Sequence, residues 1–129
     1  MMGVQPALSG PAAYSAIAGV GAEPQDLMKM GLDRARSFLL QAEAAIAAGD
    51  RMTKASALNS AATIVEFLLG VSGSEPGSLS ECLAKVYHYA MVAILKGNAT
   101  DDPISVAAGR NALEELAATW RRIFPDALA

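Results

Sequence analysis

The 129-residue chain is short of the side chains on which most catalytic and metal sites depend: it has one histidine and one cysteine, and aromatics make up only 5%. A single cysteine allows no internal disulfide, so a reducing cytosol is the expected compartment. His88 is the sole histidine, and Lys85 rather than Glu stands three residues before it. The Glu-x-x-His pairs that build di-metal carboxylate sites in helical bundles are therefore missing. Cys82 lies six residues from His88, well off a shared helical face, so the two make no nucleophile–base pair. There is no glycine-rich phosphate loop, and no carboxylate pair stands out from ordinary helix-surface charge. The expectation is a non-enzyme without catalytic residues, metal or cofactor. Cys82 falls at helical spacing among apolar residues and reads as a small core filler.

Positive charge is also scarce. Ten Lys and Arg face thirteen Asp and Glu, for a net charge of −3 and a pI near 5.0. A nucleic-acid binder would normally show a basic face. The mean hydropathy of +0.30 is high, yet no run of about 18 uncharged apolar residues exists to span a membrane. In the most apolar stretch, Ala61 to Val71, Glu66 intervenes. The N-terminal stretch carries no Lys or Arg before its apolar part and so omits the charged region of a secretory signal. The reading is cytoplasmic, with no membrane insertion. The surplus hydrophobicity must be absorbed by a large core or by a partner.

Alanine dominates the 53% of hydrophobic residues, which favours helix over strand. The organising stretch is 76 to 98. Leu79, Leu83, Val86, Ala90, Ala93 and Gly97 step by fours and threes as one buried stripe, and Tyr87, Met91 and Leu95 run beside it. Ser78 and Glu81 fit a capping box after the Pro76-Gly77 breaker, and Gly97-Asn98 reads as the stop. A first helix over 24 to 48 starts at Pro24 and Asp26. It carries Gly31, Ala35, Phe38, Ala42 and Ile46, with Met28, Leu32 and Leu39 alongside. Gly49-Asp50 is a joint so short that it implies antiparallel neighbours. A second helix over 51 to 70 shows Leu58, Ala62, Val65 and Leu69, flanked by Ile64, Phe67 and Val71. Asp102 and Pro103 open a fourth, whose Val106, Gly109, Leu113, Leu116, Trp120 and Ile123 make the cleanest heptad.

Four helices of matched length predict an all-α, antiparallel four-helix bundle over 23–124. A loose N-terminal arm or cap segment over 1–22, with Tyr14 and Ile17 as its apolar residues, precedes the bundle, and a tail over 125–129 follows it. The second apolar stripes have two accounts: a thick alanine-rich core, or a groove for a partner helix. One sharper alternative for the whole chain is a histidine phosphotransfer domain using His88, whose signature places Leu-Lys-Gly close after the histidine. Here Leu95-Lys96-Gly97 comes two helical turns later.

The order of parts resembles the flagellar secretion chaperone family, FliS. The points of likeness are Ala13-Tyr14 in the arm, Pro24 to Leu27 at the first helix start, Phe38-Leu39, and Ala42 to Ile46 running into Gly49-Asp50. Val86-Tyr87-His88-Tyr89 in the third helix, Asn98 to Asp102 and Trp120 complete the series. The likeness covers about residues 13 to 123. Gly31 stands where the family has a tyrosine, and His88 where it has Asp between two tyrosines. The resemblance implies a cytosolic, non-enzymatic chaperone. It would bind the disordered C-terminal segment of flagellin, block premature polymerisation and keep the cargo competent for export, with contact to the flagellar export machinery. The partner-binding residues expected on this reading are Tyr14, Ile17, Met28, Leu32, Leu39, Ile64, Phe67, Val71, Tyr87, Met91 and Leu95.

Overall fold

The computed structural model describes residues 24–72 and 79–125. They form four helices and, among the described residues, no strand: α1 (Pro24–Ala48), α2 (Arg51–Val71), α3 (Leu79–Thr100) and α4 (Pro103–Ile123). Tyr14, Ile17 and Ser78 lie outside the described residues.

The two short joints are built alike. Gly49 adopts φ 73°, the left-handed conformation that ends a helix without a Cβ penalty. The Asp50 N–H then reaches back to the Ala45 carbonyl at 2.9 Å, and the Asp50 carboxylate caps α2 by accepting from the Thr53 N–H at 3.1 Å. At the second joint Asp101 takes the left-handed position at φ 52°. Asp102 donates its N–H to the Gly97 carbonyl at 3.3 Å, and its carboxylate accepts from the Ile104 N–H at 3.0 Å. The expected stop at Gly97-Asn98 is thus moved: α3 runs on to Thr100, and Asp101 supplies the turn. Gly97 has a different task. A Cβ there would overlap Val106 Cγ2, so its bareness lets α3 and α4 close on each other.

The helices form a ring in which α1 packs on α2 and α4, and α3 packs on α2 and α4. Two-residue joints make the α1–α2 and α3–α4 pairs antiparallel. The cross-pairs of α1 with α4 say the same, since Gln25 meets Trp120, Arg36 meets Glu114 and Glu43 meets Arg110.

The ring corrects one expectation. Each helix has two neighbours, so its buried arc must be wide enough for two stripes. Met28, Leu32, Leu39, Ile64 and Tyr87, assigned by their spacing to a partner groove, all lie inside the bundle at 5% exposure or less. Burying such side chains stabilises the fold by roughly 1.5–3 kcal/mol each. The thick-core account describes these stripes. Cys82 is a second correction. It sits five residues before buried Tyr87, about 140° around the helix, and is exposed rather than core.

Candidate functional site

The four seams of the ring differ in how they are closed. Between α1 and α4 the closure is ionic. Arg110 grips Glu43 through two bonds, at 2.5 Å from Nε and 3.2 Å from Nη2, and also meets Glu114, which Arg36 holds at 2.6 Å. Burial pushes the Glu114 carboxyl up, but the two guanidinium groups outweigh it and leave its pKa below the ordinary value.

The α3–α4 seam is apolar and open on its outer side. The helices approach closely because the residues between them are small: Gly97 against Val106, and Gly109 against Ala93 and Ala90. Ala93, Ala108 and Ala112 form a low floor, and longer side chains rise on either side of it. Val86, Tyr89, Leu116 and Thr119 border a depression of about 380 Å³ in one half. Tyr89, Val92, Ile104 and Ser105 border another of about 340 Å³ in the other half. Tyr89 belongs to both, so the two run together as one groove along α3. Its borders are unusually bare for apolar residues: Tyr89 is 55% exposed, Val92 65% and Ile104 78%, with Leu95 beyond the rim at 62%. Contiguous exposed apolar surface of this kind marks interaction sites.

A smaller cavity of about 230 Å³ opens at the end of the bundle where α1 and α3 begin, lined by Met28, Val71, Leu79, Leu83, Trp120 and Phe124 among others. The Tyr87 hydroxyl donates to Met28 Sδ beneath it. Burial pushes the Tyr87 phenol well above its usual range against a hydrogen bond with Ser72, so it stays neutral. Of the expected partner-binding residues, this end brings together Met28, Val71 and Tyr87. Phe67 and Met91 are half-buried against the core, Leu32, Leu39 and Ile64 are sealed within it, and Val71 and Leu95 remain exposed.

Sequence reasoning missed Tyr89, Val92 and Ile104. The signal was present: Lys85, Tyr89, Val92 and Lys96 step by 4, 3 and 4 on the face of α3 opposite its core stripe. The phosphotransfer arrangement is not assembled. His88 is exposed, whereas Gly97 is buried against Val106. Among the described residues no group of three His, Cys, Asp or Glu could hold a metal ion, and no helix is long and apolar enough to cross a membrane.

Fold and groove together define a class, that of small four-helix bundles whose main surface feature is a helix-wide apolar groove in place of a polar pocket. Within it, the profile of the family described as flagellar protein FliS matches residues 9–127, and the chain belongs to that family. The chain is also similar to the flagellar secretion chaperone FliS of Salmonella typhimurium (strain LT2), with 29% identity over 125 residues that cover 92% of this chain and 93% of the relative.

Proposed function

We propose that this flagellar export chaperone binds the disordered C-terminal segment of flagellin in the cytoplasm. The bound segment is kept from premature polymerisation and stays competent for flagellar type III secretion. The α3–α4 groove is the principal docking surface, with Leu95 on its outer margin and Val71 at the end cavity as further contacts. The loaded bundle is what the export machinery would meet. The protein acts by binding and performs no covalent chemistry.

The observation that carries this reading is the continuous apolar groove centred on Tyr89. Its two halves are in the size range of ligand sites, and its length along α3 suits an amphipathic helix laid in a groove. A cargo that is disordered when free uses part of the contact energy to become ordered. Apolar side chains left bare on the chaperone are what the cargo's apolar face would cover.

The test is calorimetry with an isolated flagellin C-terminal segment. One-to-one binding with a negative heat-capacity change is expected. Tyr89→Asp and Val92→Asp, both at exposed positions, should weaken binding at least ~10-fold by placing a charge in an apolar contact, with the melting temperature almost unchanged. Absence of any complex across several temperatures would reject the reading.

A further inference from the structure

We propose that the two walls of the α3–α4 groove carry opposite charge in order to fix the direction in which a docked helix lies. The inference rests on the reading of this groove as the cargo site. Lys85 and Lys96 stand on the α3 wall, eleven residues apart and so about 16.5 Å along the helix. Glu115 stands on the α4 wall opposite Lys85, and Asp102 opposite Lys96. Asp102 is already engaged as the cap of α4. Among the described residues, no ion pair engages Lys85, Lys96 or Glu115. The adjacent residue shows that this is no general property of α4: Glu114 is held by both Arg36 and Arg110, closing the other seam. One carboxylate of the pair shuts a seam, and the next is left facing a groove whose far wall is basic.

A helix lying on the groove floor presents one flank to each wall. If its flanks are acidic and basic, only one chain direction sets acid over Lys85 and Lys96 and base over Glu115. Turning the helix end for end exchanges the flanks and brings like charges together. Charges at the edge of an interface act in this way, on orientation, association rate and rejection of wrong arrangements more than on affinity. The apolar floor alone is indifferent to direction, so the walls supply what it lacks. A cargo segment that must leave the chaperone in an orderly way gains a defined leading end.

Cys82, exposed near the start of α3 and the only cysteine, is a natural reporter position. A nitroxide attached there broadens the signals of whichever end of a bound, isotope-labelled peptide lies near it. The probes are two designed amphipathic peptides of about sixteen residues, long enough to cover the groove as a helix. They share composition and apolar stripe and differ only in which flank is acidic. The expected result is that both bind and are broadened at opposite ends. The variant with exchanged walls, Lys85→Glu/Lys96→Glu/Glu115→Lys, should invert both patterns. For an isotope-labelled flagellin segment, the same variant should move the broadening to its opposite end. Both peptides lying in the same direction, or directions unchanged in the exchanged variant, would overturn the proposal, as would failure of either peptide to bind. Competition separates the two readings. A flagellin segment that displaces neither peptide, while their opposite directions persist, overturns the groove as the flagellin site and leaves the charge reading of the walls intact.

Discussion

Trp120 Nε1 donates a 2.9 Å hydrogen bond to the Gln25 carbonyl, joining residues 95 positions apart and tying the last turn of α4 to the first turn of α1. The indole is 5% exposed and stacks obliquely on Phe124, ring centroids 4.8 Å apart. Two contributions are therefore separable. Trp120→Phe keeps most of the apolar contact and gives up the hydrogen bond, at an expected cost of about 0.5–1.5 kcal/mol. Trp120→Ala also opens a cavity and should cost about 3–5 kcal/mol. Urea denaturation followed by circular dichroism measures both; an unchanged stability in Trp120→Phe would mean that the indole N–H contributes nothing, and equal losses in the two variants would mean the same of the ring contacts.

Asp101 holds a left-handed backbone conformation that costs most residues about 1–2 kcal/mol. Its carboxylate accepts from Lys54 Nζ at 2.5 Å, and the same ammonium donates to the Asn98 carbonyl at 3.1 Å. Asp101→Gly loses the Lys54 contact but relieves the backbone, whereas Asp101→Ala loses the contact and keeps the strain. The alanine variant is expected to be less stable than the glycine variant by about 1 kcal/mol. Melting curves of the two, run side by side, decide it, and the reverse order would remove backbone strain from the account.

Gly97 and Val106 form a matched pair in the α3–α4 seam. Gly97→Ala overlaps Val106 Cγ2 and should destabilise by about 1–3 kcal/mol. Val106→Ala in the same chain removes the obstructing methyl groups. The double variant is then expected to be less destabilised than the sum of the two single changes, a coupling that a double-mutant cycle measures.

Acid should loosen the joint end of the bundle first. The Thr53 hydroxyl holds the Asp50 carboxyl below its ordinary value, Lys54 does so for Asp101, and Ser105 for Asp102. A carboxyl whose folded pKa is depressed contributes stability above its unfolded value near 3.9, and that contribution is lost as pH falls through the folded value. The melting temperature is expected to hold from neutral pH to about 5 and to decline below about 4. Asp101→Asn should flatten part of that decline. An unchanged acid limb in this variant would show that Asp101 is not among its causes.

Periodicity located the helices because core packing imposes it. The bounds of α1, Pro24–Ala48, follow from Pro24 and Gly49, and those of α4 from the Asp102-Pro103 start and Pro125. The end of α3 was misplaced because Gly97 satisfies two demands that look alike in a sequence, a left-handed turn and a close approach. The groove was misplaced for a related reason. A stripe such as Met28, Leu32 and Leu39 has the same spacing whether it meets a cargo or the next helix of its own ring, and only the closed ring settles which. Tyr89 and Val92 share a helical stripe in the sequence, but their exposure, like that of Ile104, depends on what the neighbouring helices leave uncovered.

The asymmetry of the joints has a kinetic consequence. The α1–α2 and α3–α4 hairpins each close across two residues, so their contacts are local and cost little chain entropy to form. The α1–α4 seam joins the first and last helices and carries the longest closures among the described residues, those of Trp120 with Gln25, Arg36 with Glu114 and Arg110 with Glu43. Interactions formed after the rate-limiting step appear in the unfolding rate rather than the folding rate. Stopped-flow chevrons of Glu43→Gln and Trp120→Phe are thus expected to show faster unfolding with nearly unchanged folding, while Leu58→Ala, inside the first hairpin, slows folding. The ionic seam would then act as the latch that sets how long the bundle stays closed, and its removal would shorten the lifetime of the folded chaperone without altering how quickly it forms.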